Sequence, residues 1–132
     1  MIIDDTAVMR RIVAELPGRG EAVRVIGHAT DPIGALAMME QAWPDVILLD
    51  LAMPRLDGVA FLRKIMKVRP TPVIVCSSHA CQGAEHTLQA LAAGAIATFI
   101  KPDGEARLKE AVSELIAKLR AASGVRMALA VE

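Results

Sequence analysis

Five apolar runs separated by amphipathic stretches constrain the fold of this 132-residue chain more than any other feature. The runs lie at residues 2–3, 22–26, 46–49, 73–76 and 96–100. The third and fourth are apolar at nearly every position and rich in β-branched residues, which is typical of strands covered on both faces of a parallel sheet. The stretches between the runs have helical period, and the last one places a stripe on a predicted helix at Leu108, Val112, Leu115, Ile116 and Leu119.

Turn and capping residues divide the chain at the same points. Asp31 stands before Pro32, a cap residue followed by proline at a predicted first helical position. Asp57 precedes another amphipathic stretch and is expected to cap its helix rather than to bind a ligand. Five strand–helix units with short connections predict an α/β fold, a doubly wound parallel sheet with helices on both faces.

Composition excludes several classes of function. Fifteen basic residues balance fifteen acidic ones, and no segment collects a basic stripe, so nucleic acid is not an expected partner. The longest uncharged apolar stretch, residues 90–100, is too short to cross a bilayer, and no membrane partner is expected. Cys76 and Cys81 match no metal or redox spacing. With an acidic pair near residue 4 where a signal peptide needs basic residues, these features predict a cytoplasmic protein.

Polar residues follow the predicted strands where parallel sheets bind ligands. The first run ends at Asp4 and Asp5, the third at Asp50, the fourth at Ser77 and the fifth at Lys101. The carboxyl ends of parallel strands meet at one edge, which brings three carboxylates, a hydroxyl and an ammonium together. Clustered carboxylates need a cation between them, and an all-oxygen site suits Mg²⁺. This set of groups matches phosphoryl transfer to an aspartate.

These residues also carry a family resemblance. The segments beginning at Asp4 (DDTAVMRR), Asp50 (DLAMPRLDG) and Val75 (VCSS), and the one ending at Pro102 (GAIATFIKP), resemble the motifs of response-regulator receiver domains, in order. The resemblance covers about residues 1–121 and leaves 122–132 as a linker or tail. It implies a flavodoxin-like (βα)5 fold whose five-stranded parallel sheet has the order 2-1-3-4-5.

The resemblance also implies the role of each site residue. Asp50 accepts the phosphoryl group, Lys101 contacts it, and Ser77 is the switch hydroxyl. The peptide bond before Pro102 is expected to be cis. The implied Mg²⁺ ligands are Asp4, Asp5, Asp50 and the backbone carbonyl of Ala52.

Two positions depart from the family pattern. Many members have a polar side chain two residues after the acceptor, where this chain has Ala52. The usual aromatic switch position, three residues before the lysine, is Thr98, and Phe99 is displaced by one. The departures bear on dephosphorylation rate and on the form of the output signal.

Within the family, the segment from Pro70 to His79 and the helix after it resemble the chemotaxis glutamate methylesterase branch. This implies phosphorelay from a chemotaxis-type sensor histidine kinase and a covalently linked methylesterase domain that is absent here, so this chain is not itself expected to be an enzyme. The alternative is a free-standing receiver that docks to a partner protein. An aspartate-nucleophile phosphatase would need an acid or base at Ala52, and a flavin-binding module would need flanking aromatic residues.

Overall fold

The computed structural model describes residues 2–3, 11–12, 27–29, 32–51, 57–77, 84–102 and 105–123. Within them, a parallel sheet has the strand order β2-β1-β3-β4-β5. Its strands are β1 (Ile2–Ile3), β2 (His28–Ala29), β3 (Ile47–Asp50), β4 (Val73–Ser77) and β5 (Ala97–Ile100). The predicted α/β class with a parallel sheet is confirmed.

Helices alternate with these strands along the chain. Residues 11–12 are helical and are labelled α1. The other helices are α2 (Pro32–Gln41), α3 (Gly58–Val68), α4 (Ala84–Ala92) and α5 (Leu108–Ser123), with a 3-10 turn at Glu105–Arg107 before α5. No helix among the described residues is long and apolar enough to span a bilayer.

Two separate cores cover the two faces of the sheet, because successive strand residues point to opposite sides. Ile3, Leu49 and Val75 belong to the core that also contains buried residues of α2, α3 and α4. Their neighbours one position away belong to the other core, with α1 and α5. That alternation explains why the third and fourth apolar runs have no polar face.

Local signals in the sequence account for several of these boundaries. The Asp57 side chain caps α3 by accepting the Ala60 N–H at 3.0 Å, as predicted. Pro32 is the first residue of α2, where its missing N–H costs nothing. Gly94 turns the chain from α4 into β5 with φ +121°, and a Cβ there would lie 3.1 Å from Cγ of Met66. Glycine is therefore required at this turn.

The predicted strands agree with the structure at β3, β4 and β5 to within a residue or two. The second differs: pairing with β1 is seen at His28–Ala29, beyond the predicted run at 22–26. Residues 22–26 themselves lie outside the described part of the chain. Sequence pattern locates this strand less well because the pairing seen at His28 and Ala29 lies beyond the end of the apolar run.

Candidate functional site

Three of the predicted site residues lie at the carboxyl edge of the sheet. Asp50 is the last residue of β3, Ser77 is the last residue of β4, and Lys101 directly follows β5. Since these strands are parallel neighbours in the order β3-β4-β5, their ends lie side by side. The fold therefore brings together a carboxylate, a hydroxyl and an ammonium. The first and the last of these, on residues 50 and 101, are 51 positions apart in sequence.

Asp50 and Lys101 form a buried ion pair across β4. The Lys101 Nζ lies 2.9 Å from the Asp50 Oδ2, and the two residues are only 5% and 1% exposed. Strands in a sheet are about 4.8 Å apart, so β5 lies roughly 10 Å from β3. The four-carbon stem of lysine suits that distance, whereas a shorter cationic side chain would fall short.

Stability alone does not explain why this ion pair is buried. Removing two charges from water costs several kcal/mol per ion, and their mutual attraction seldom exceeds that cost by much. Asp50 and Lys101 are also, with Thr71, the polar or charged residues found buried within the described chain. Their placement at the ligand-binding edge of a parallel sheet points to a chemical role.

Backbone hydrogen bonds extend the register beyond the last strand residues. The Leu51 N–H donates to the Cys76 carbonyl at 3.1 Å, and the Lys101 N–H donates to the Ser77 carbonyl at 2.9 Å. The end of β4 is thus tied to both of its neighbours. Ser77, which is half-buried, sits on this tied segment between the carboxylate and the lysine.

The predicted metal ligands are described only in part. Asp4, Asp5 and Ala52 lie outside the described residues, which leaves Asp50 as the predicted ligand with a defined position. Within the described ranges, no group of three or more His, Cys, Asp or Glu side chains is close enough to hold a metal ion. The Mg²⁺ site therefore stays a prediction.

One implied feature of the site is wrong. No described peptide bond is cis, so the bond between Lys101 and Pro102 is trans. The two isomers of a bond before proline differ by only about 0.5–1 kcal/mol, and the surrounding structure decides between them. A family resemblance carried by side chains does not fix that choice.

The edge strand β5 is held by a residue that the sequence did not single out. Lys118 of α5 donates to the Thr98 carbonyl, lies 5.9 Å from the centre of the Phe99 ring and pairs with Glu114 at 3.4 Å. Phe99 is fully buried beneath α5, whereas Thr98 is half-buried. Phe99 therefore serves as core, and the family's aromatic switch position holds a threonine. The i, i+4 spacing of Glu114 and Lys118 was the sequence feature that could have drawn attention to Lys118.

A cavity of about 460 Å³ adjoins this segment. Its wall is shared between the end of β5 and the first half of α5, and it includes Lys101 itself. The lining residues are Ile100, Lys101, Pro102, Arg107, Glu110, Ala111 and Glu114. Lys101 therefore belongs both to the charged site and to the wall of a surface cavity. This shared position depends on how β5 and α5 pack in the folded chain, and residue spacing could not predict it.

Comparison with known proteins agrees with this geometry. The family model described as "Response regulator receiver domain" matches residues 1–113. A protein-glutamate methylesterase/protein-glutamine glutaminase 1 from Chromobacterium violaceum is 50% identical over 129 residues, and one from Pseudomonas savastanoi pv. phaseolicola is 47% identical over 125. These matches cover 96% and 93% of this chain but 36% and 35% of the relatives, so the chain spans about a third of their length.

Solved structures give the same result. The response regulator domain of Thermotoga maritima CheB is 35% identical, with a TM-score of 0.80 and 96% of each chain covered. The Mn²⁺-bound form of response regulator Rcp1 is 20% identical, with a TM-score of 0.74 over 96% of each chain, and shares the fold. A family match over most of the chain, together with this structural likeness, shows that the chain belongs to the response regulator receiver domain family.

Proposed function

We propose that this domain receives a phosphoryl group on Asp50 from a sensor histidine kinase and changes conformation in response. The observation that carries the proposal is the buried Asp50–Lys101 pair, 2.9 Å apart at the carboxyl edge of the sheet. Ser77 at the adjacent strand end completes the set of groups that such a transfer needs.

In the proposed reaction, a carboxylate oxygen of Asp50 attacks the phosphorus while the bond from phosphorus to the kinase histidine nitrogen breaks. The product is an acyl phosphate on Asp50, and the histidine leaves as a neutral imidazole because its other ring nitrogen carries a proton. Lys101, already aimed at the carboxylate, is placed to pair with a phosphoryl oxygen, and this charge-assisted contact is about twice as strong as a neutral hydrogen bond. We propose that the Ser77 hydroxyl donates to another phosphoryl oxygen.

We also propose that Mg²⁺ takes part. Asp50 offers a carboxylate oxygen, a ligand type that Mg²⁺ prefers, beside the end of β4. Bound there, the ion would neutralise charge on the transferring group. The remaining proposed ligands come from the sequence, namely Asp4, Asp5 and the backbone carbonyl of Ala52.

The proposed output is control of a methylesterase domain in a longer parent protein. This rests on the relatives, which are named as methylesterases and are almost three times as long as the matched segment. The predicted linker at residues 122–132 would then begin after Ser123, since residues 122 and 123 belong to α5, and a cytoplasmic chemotaxis-type kinase would be the phosphodonor. The second candidate is a free-standing receiver that docks to a separate partner. It is favoured by the large exposed side chains of α4 and β5, Leu88, Leu91 and Ile100.

The acceptor is tested with acetyl phosphate and Mg²⁺, followed by intact-mass spectrometry. We expect one phosphate-sized mass increment, lost in Asp50→Asn and lost when EDTA removes the metal ion. Asp57→Asn is the matched control, because it makes the same chemical change at an exposed residue and asparagine still caps α3. An adduct that persists in Asp50→Asn would overturn the acceptor assignment.

The switch is tested separately with Ser77→Ala. We expect phosphorylation to remain largely intact, while the change in amide exchange across residues 79–93 and 95–101 becomes smaller. The reason is that the new contact to phosphate supplies the free energy that shifts the population. Ser113→Ala on the exposed face of α5 is the matched control. If Ser77→Ala blocked phosphorylation instead, Ser77 would be a catalytic group.

A further inference from the structure

The outward face of α3 is basic along its second half. Arg63, Lys64 and Lys67 are exposed on the same side of the helix, and α3 contains no acidic residue. Arg69, also exposed, follows the helix directly. We call Arg63, Lys64, Lys67 and Arg69 the α3 basic face. Four cationic side chains thus lie within about 9 Å along the helix axis, although the protein has no net formal charge.

The other long surface helix shows that this segregation is not general. On α5, exposed Lys109 and Arg120 are interspersed with Glu110 and Glu114, and Glu114 pairs with Lys118. Mixed signs of this kind are what a solvated helix face ordinarily carries. One cation near a helix C-terminus is explained by the helix dipole, and Lys67 fills that role on α3. The dipole does not explain the other three.

Apolar surface is interleaved with these charges. Val68 lies between Lys67 and Arg69 and is 60% exposed. The Arg69 guanidinium lies over the half-buried ring of Trp43, 5.2 Å from its centre. The basic face therefore ends on an aliphatic side chain and on an aromatic ring covered by a cation, which are features of protein interfaces rather than of a uniformly charged surface.

We propose that the α3 basic face is a docking surface for an acidic peptide segment of a protein partner, with an aliphatic residue of that segment covering Val68. The charges are complementary to such a segment, and Val68 offers it an apolar contact. The face is too short to neutralise a run of nucleic-acid phosphates, and the net-neutral chain adds no attraction toward an anionic membrane. Because α3 leads away from the carboxyl edge, this docking does not depend on phosphorylation of Asp50.

The probe is a fluorescein-labelled, glutamate-rich peptide that contains leucines, and binding is followed by anisotropy at low and moderate salt. The test variant is Arg63→Glu/Lys64→Glu/Lys67→Glu. The matched control is Arg107→Glu/Lys109→Glu/Arg120→Glu, which changes the net charge equally at exposed positions near and on α5. We expect at least about a tenfold loss of affinity for the first and at most about threefold for the second.

Two further measurements sharpen the result. Val68→Ser should weaken binding by about threefold while leaving its salt dependence unchanged. Trp43 fluorescence should change on peptide binding in the wild-type chain, because Arg69 lies over its ring. Both effects should be identical in Asp50→Asn, which separates failure of this proposal from failure of the proposed phosphorylation.

Several outcomes would overturn the docking surface. Equal losses in the two triple variants would mean that the peptide responds only to net charge. No binding of the peptide at low salt, or tighter binding of phosphatidylglycerol vesicles or duplex DNA than of the peptide, would remove the acidic protein segment as the occupant. A circular-dichroism spectrum matching wild type is required of every variant, and exposure of the positions substituted on α3 and on and near α5 favours it for the charge and Val68 variants.

Discussion

The two ends of the β3–β4 pair are both closed by polar side chains, but of different kinds. At the carboxyl end, the charged Asp50 and Lys101 meet at 2.9 Å. At the amino end, the Trp43 Nε1–H donates to the Thr71 hydroxyl at 2.7 Å, and that hydroxyl donates to the Arg69 carbonyl at 2.8 Å. Both Thr71 and Asp50 are almost fully buried.

The polar groups at the two ends differ in how much they contribute to stability. The chain of neutral hydrogen bonds satisfies a buried hydroxyl and an indole N–H, and each such bond contributes about 1 kcal/mol to stability. The ion pair at the other end carries a desolvation cost that its attraction does no more than roughly offset. A pair of apolar residues at the carboxyl end would stabilise the fold no less than the ion pair does. The amino end therefore serves the fold, and the charge kept at the carboxyl end fits the proposed phosphoryl transfer.

The largest expected effect is on the free energy of unfolding of Lys101→Met. This substitution leaves the Asp50 carboxylate buried without its ammonium and should destabilise the domain by about 3 kcal/mol when measured in EDTA. Adding Asp50→Asn should restore most of that loss, because the unpaired charge is then removed. Urea denaturation of both single variants and the double variant gives the coupling free energy, and additivity of the two substitutions would contradict a tight buried pair.

A smaller effect is expected from Thr71→Val. The substitution keeps the shape of the side chain but leaves the Trp43 indole N–H and the Arg69 carbonyl without their hydroxyl partner, so we expect a loss of about 1–2 kcal/mol. Phosphorylation by acetyl phosphate should be unchanged. Thr87→Val, a half-buried threonine on α4, is the comparison variant for the loss of a hydroxyl. Impaired phosphorylation would show that the two ends are coupled.

The smallest effect is expected for Trp43 fluorescence on addition of Mg²⁺. Trp43 precedes β3 and bonds to Thr71 ahead of β4, at the opposite end of the strands from Asp50. Saturating Mg²⁺ should therefore leave the emission nearly unchanged. Strong quenching would mean either that the ion binds elsewhere or that the two ends of the sheet move together, and repeating the titration in Asp50→Asn distinguishes these results.

The position of polar residues at the strand ends was the most predictable part of the site. Asp50, Ser77 and Lys101 were located from the rule that parallel strands present their carboxyl ends at one edge, and the structure places all three there. The Asp57 cap was equally local and is confirmed. The implied cis bond before Pro102 was wrong, because two nearly equal isomers are chosen by packing that no local pattern encodes.

The pattern of apolar residues determined by itself that this chain forms a parallel α/β sheet, since burial of both faces leaves no polar positions in β3 before Asp50 or in β4 before Ser77. Only the tertiary structure decided that Lys101 reaches across β4 to Asp50, because that contact joins strands that are not neighbours. The basic face of α3 was likewise missed as a stripe in the sequence, where the apolar residues Ile65 and Met66 separate Lys67 from the adjacent pair Arg63 and Lys64. Those apolar residues turn inward to the core, and the cations are left together on the surface.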